Sequence, residues 1–155
     1  MRLPLALTAL LPLLPPVGAS AQTARPHLDY EAAAAVRDGC LRMAASEGWH
    51  MAVSVYDEAG SLVTFAAMDD AIPAVTDVAQ WKGRAAATFR LPTTTMREWN
   101  APYIPNIATV GGGLPLFTEA GDPVGGVGAS GASQEQDVAC AEAGAAAAGL
   151  RTSRP

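Results

Sequence analysis

The chain has 155 residues and sets 15 acidic against 10 basic side chains, a formal charge of −5. That balance excludes non-specific nucleic-acid binding, which needs a basic face to neutralise phosphates. Half of the residues are hydrophobic, enough for one core in one domain of ordinary size.

Arg2 provides a short positive start, and Leu3 to Leu14 form an apolar run too short to span a bilayer as a helix. Ala19-Ser20-Ala21 places small residues where a signal peptidase reads them, so residues 1–21 are expected to be a cleaved secretory signal. The working chain then begins at Gln22, is secreted or periplasmic, and keeps no membrane span. Losing Arg2 takes the charge to −6, because all 15 acidic residues lie beyond the cut.

Asp29 is a natural N-cap for a helix from Tyr30 to Glu47, with Ala33, Val36, Cys40 and Met43 on one face and Gly48 as its stop. Met51–Tyr56 and Ser61–Ala67 alternate as strands around the turn Asp57-Glu58-Ala59-Gly60 and predict a hairpin. After a break at Asp69–Pro73, an alanine-rich helix is expected over Ala74–Phe89, stopped by Pro92. A short helix over Thr94–Trp99 and a long loop over Asn100–Gly113 follow. Leu114–Thr118 and Val124–Ser130 predict a second hairpin, glycine-rich in its return strand. Ser133 and Gln136 fit a capping box opening a last helix to about Ala148, and Arg151–Pro155 is expected to fray. The order α-β-β-α-(α)-β-β-α specifies one α+β domain over residues 22–150, a central antiparallel sheet covered by helices.

Chemistry-bearing residues are few. Cys40 and Cys140 fall in the first and last helices; an oxidising compartment favours a disulfide between them, and two buried free thiols are the alternative. Lys82 is the only lysine. It is either a solvated surface charge or, if the fold turns it toward Asp69, half of an anion-binding or proton-shuttling pair. Asp69 and Asp70 could instead complement the N-terminus of the following helix. The runs Gly111-Gly112-Gly113 and Gly125–Gly131 allow close approach of a ligand or of another backbone, and neither is a phosphate loop of the Walker type. His27 and His50 lack a paired metal-ligand spacing, which argues against zinc.

An ordered set of short motifs adds to this reading: Asp57-x-x-Gly60-x-Leu62-Val63, Met68-Asp69 with Ala71, Lys82, Thr88-Phe89, Pro92-Thr93, Gly112-Gly113-Leu114-Pro115, Val127–Gly131, Gln136-Asp137 and Ala143-Gly144. The chain resembles, over about Asp29–Gly149, the GlcG/HbpS-like family of haem-binding or haem-degrading domain proteins, which includes the C-terminal part of PduO-type proteins. The resemblance implies a profilin-like sheet, assembly into dimers or larger rings, and haem binding in some members. It implies a ligand pocket formed by Asp69, Lys82, Gly112, Gly113, Gln136 and Asp137, with His50 as an axial ligand to haem. Ala67 stands where the family commonly has arginine, and Val75-Thr76 where it has serine. The resulting expectation is an exported binder of haem, a related tetrapyrrole or another small molecule. The alternatives are an enzyme acting on a small polar organic acid, with Lys82 and Asp69 or Asp137 as acid–base pair, and a scaffold subunit of an exported complex.

Overall fold

The computed structural model describes residues 23–155. The expected signal segment and its cleavage point lie outside them. Among the described residues no helix is long and apolar enough to cross a membrane.

Four helices and four strands follow in the expected order: α1 (Tyr30–Glu47), β1 (Ala52–Asp57), β2 (Leu62–Ala67), α2 (Pro73–Phe89), α3 (Thr93–Glu98), β3 (Gly113–Phe117), β4 (Pro123–Ser130) and α4 (Gln134–Ala147). α1 starts where Asp29 accepts the Ala32 N–H at 2.7 Å and stops where Gly48 turns left-handed at φ 70°. α4 opens on the full capping box, with Ser133 and Gln136 each receiving the other's backbone N–H. α2 ends at Phe89 as expected and begins one residue earlier, at Pro73. Its N-cap is Ile72 with no side-chain cap, so neither Asp69 nor Asp70 caps it, and its C-cap is Arg90, a non-glycine residue at φ 57°.

The strands form one antiparallel sheet in the order β2-β1-β4-β3, in which each hairpin contributes an edge strand and a central one. Period-2 alternation divides the sheet into two buried faces. Val53, Val55, Val127 and Ala129 pack with Val36, Cys40, Cys140 and Ala141 under α1 and α4. On the opposite face Ser54, Tyr56, Gly126 and Gly128 meet α2. The glycines of β4 are explained there: a Cβ on Gly126 or Gly128 would run into the backbone of Ala87, Ala79 or Gly83. Their absence lets helix and sheet backbones nearly touch. The glycine enrichment of this strand therefore serves helix docking.

α1 and α4 approach in the same way. A Cβ on Gly39 would stand 2.6 Å from the Ala147 Cβ, and one on Gly144 would meet the Val36 carbonyl. The side-by-side packing that a bridge requires is thus met, and Cys40 and Cys140 form a disulfide with their Cα atoms 4.5 Å apart. The terminal segment expected to fray is instead docked. Arg151 exchanges both backbone hydrogen bonds with Phe117 at 2.9 Å, and the Arg154 guanidinium lies 5.5 Å from the centre of the Phe117 ring.

Candidate functional site

Lys82 belongs to α2 and Asp137 to the first turn of α4, helices on opposite faces of the sheet. The lysine reaches past the end of β4: its Nζ donates to Asp137 Oδ2 at 2.7 Å and to the Ala129 carbonyl at 3.0 Å. The other Asp137 oxygen accepts the Ala132 N–H at 3.1 Å. Side-chain exposure is 1% for Lys82 and 4% for Asp137. This ion pair links helices of the two layers near the end of β4.

Passage of the lysine depends on Gly112. That residue sits at φ 111°, and a Cβ there would lie 2.5 Å from the Ala129 carbonyl, 2.6 Å from the Asp137 Cβ and 3.0 Å from Lys82 Nζ. Space and backbone conformation both require glycine. Gly113 is packed against the Lys82 backbone and donates its N–H to Thr93 Oγ1 at 3.1 Å, while the Thr93 hydroxyl donates to the Val110 carbonyl at 2.6 Å. Gln134 Oε1 accepts the Gly111 N–H at 2.9 Å and Arg97 Nη1 at 3.3 Å. Thr93 belongs to the Pro92-Thr93 motif of the family pattern, whereas Gln134, an amide at the first helical position, carries no motif of its own.

Burial dominates the electrostatics of the pair. Desolvation pulls the Lys82 ammonium below the ordinary lysine value, and the Asp137 carboxylate opposes that shift. Desolvation likewise pushes Asp137 above the ordinary carboxylate value, against the lysine and the Ala132 and Gly131 amides. With its polar atoms partnered and its side chains enclosed, the pair acts as a fixed internal clamp.

The structure brings together Lys82, Gly112, Gly113 and Asp137, and it separates the remaining expected site residues from them. Asp69 is exposed on the turn after β2 and makes no ion pair with Lys82. Gln136 spends its side-chain oxygen on the capping box. His50 lies on the α1–β1 connection, 55% exposed, with Nδ1 3.8 Å from Asp70 Oδ2. That separation exceeds a hydrogen bond but leaves Nε2 on the ring edge away from the carboxylate. No group of three or more His, Cys, Asp and Glu suited to a metal ion occurs among the described residues.

Solved structures of other proteins share this fold. A crystal structure of a double mutant of HbpS from Streptomyces reticuli matches with a TM-score of 0.75 at 33% identity, covering 87% of this chain and 97% of that one. A second crystal structure of HbpS matches at 0.75 and 30%, covering 83% and 94%. A PduOC–haem complex matches at 0.76 over 83% of this chain and all of that one; its 23% identity speaks for the fold alone. A comparison with curated proteins gives no match. The family described as haem degrading protein HbpS-like matches residues 28–146, and the chain belongs to that family.

Proposed function

We propose that this protein is an exported haem binder that takes haem at its surface with His50 as the axial ligand. Membership of the HbpS-like family carries the reading. The donor chemistry of His50 fits it: a neutral imidazole is a common iron ligand. Asp70, 3.8 Å from Nδ1, adds a nearby negative charge without a hydrogen bond. Haem would supply redox-active iron, while this chain's part is to donate an imidazole nitrogen of His50. The exposed setting of His50 favours a bound group largely open to solvent. Export is supported by the signal-like segment ending at Ala21 and by the Cys40–Cys140 bridge, which persists in oxidising compartments.

The competing enzymatic reading, with Lys82 as the working base, is disfavoured by geometry. An ammonium that is 1% exposed and donates to two fixed acceptors has no face left for a substrate. Titration of the mature protein with haem tests the proposal. The expected result is a saturable Soret shift that weakens strongly in His50→Ala. No shift at micromolar haem, or a shift indifferent to that substitution, would remove it.

A further inference from the structure

A cleft of about 480 Å³ lies between the C-terminal end of α2, the outer part of β3 and the docked terminal segment. Its size falls within the usual range for small-molecule sites. Leu91, Pro92, Pro115 and Phe117 supply apolar walls, and Arg90 and Arg154 are the two charged residues of the lining. No Asp or Glu lines it. In a chain of formal charge −5 this is a local reversal of sign.

Arg90 forms a loose ion pair with Glu58 at 3.7 Å, longer than a hydrogen bond, and Arg154 makes no ion pair among the described residues. The backbone at Arg90 is left-handed at φ 57°, a conformation that favours glycine, yet the position carries a guanidinium. Arg154 is brought to the rim by the backbone pairing of Arg151 with Phe117 and lies over the Phe117 ring. An apolar slot edged by one arginine free of any ion pair among the described residues and a second only loosely paired is matched by a ligand with a flat or branched hydrocarbon body and a carboxylate at one end.

We propose that this cleft is a binding site for a small apolar monocarboxylate of about naphthyl size. It is separate from the His50 region: β1 begins beside Ser130 at one end of β4, whereas Phe117 pairs with Pro123 at the other. The site therefore stands or falls independently of the haem reading.

Calorimetric titration of the mature, disulfide-bonded protein with 2-naphthoate and with 2-naphthol is the test. Naphthoate is expected to bind saturably and at least about tenfold more tightly than naphthol, because only the acid engages the guanidinium groups. Arg90→Gly keeps the left-handed backbone while deleting the charge, and Arg154→Gln keeps the tail. Each should weaken naphthoate several-fold while leaving naphthol unaffected, and Arg154→Lys should retain most of the acid's affinity. The urea midpoint and the haem titration of the Arg90→Gly/Arg154→Gln protein should match the parent, which separates loss of this site from unfolding and from loss of the haem site. Equal affinity for acid and alcohol, absence of saturable naphthoate binding, or unchanged binding in the double variant would overturn the proposal.

Discussion

At the residue scale the informative feature is the only lysine of the chain, placed where burial is most costly. Removing one member of a buried pair strands the other charge, so Asp137→Asn should lower unfolding stability by about 3–5 kcal/mol in urea denaturation. Replacing both, as Lys82→Met with Asp137→Leu, should be close to neutral or stabilising by about 1–4 kcal/mol. The pH dependence follows from the two shifts. Asp137, raised above 3.8, holds its proton longer when folded, so its contribution to stability improves as pH falls toward 3.8. Lys82, lowered below 10.5, releases its proton earlier when folded, so its contribution improves as pH rises toward 10.5. The parent's stability relative to the Lys82→Met/Asp137→Leu protein should accordingly be lowest near neutral pH. A relative stability greatest near neutrality would contradict this sign. The sequence reading grouped Lys82 with Gly112, Gly113 and Asp137 through the family pattern, and the structure brings these residues together. Their role could not be read from spacing: 55 positions separate lysine from aspartate, and only the layered fold brings the two together near the end of β4.

At the element scale the local signals were strong where chemistry is local. Asp29 and Gly48 bound α1, Ser133 and Gln136 open α4, and Asp57 accepts the Ala59 and Ser61 N–H groups within the first hairpin turn. The end of α2 at Phe89 was legible, but its left-handed C-cap at Arg90 was illegible because a non-glycine residue there gives no local signal. The terminal segment was illegible for a related reason: its order comes from pairing with Phe117, 34 positions earlier than Arg151. The helix pair α1–α4 is the element most dependent on a covalent tie. Converting both cysteines, Cys40→Ala with Cys140→Ala, should lower stability by about 2–5 kcal/mol, as expected for a bridge closing a long loop. An unchanged thermal midpoint would mean that glycine-mediated packing suffices.

At the scale of the whole molecule, the fold is three-layered: α1 and α4 over one face of a four-stranded sheet, α2 over the other, with the Lys82–Asp137 pair joining the layers. This general architecture was legible because two hairpins and amphipathic or alanine-rich helices leave few ways to bury both faces of the sheet. Export predicts that the protein recovered from the periplasm or medium begins at Gln22 and titrates no free thiol when unfolded without reductant; retention of Met1 would contradict it. Assembly into a homo-oligomer, implied by the family pattern, remains a proposal compatible with the exposed aromatics Tyr30, Trp81, Trp99 and Tyr103. The central claim is a division of labour, with the buried Lys82–Asp137 pair confined to an internal contact and His50 serving the ligand at the surface. It is tested most directly by one haem titration run in parallel on the parent, the Lys82→Met/Asp137→Leu protein and His50→Ala. The account predicts that the buried-pair variant keeps the parent's Soret shift and affinity while His50→Ala loses them. Loss of haem binding in the buried-pair variant with full binding in His50→Ala would contradict it.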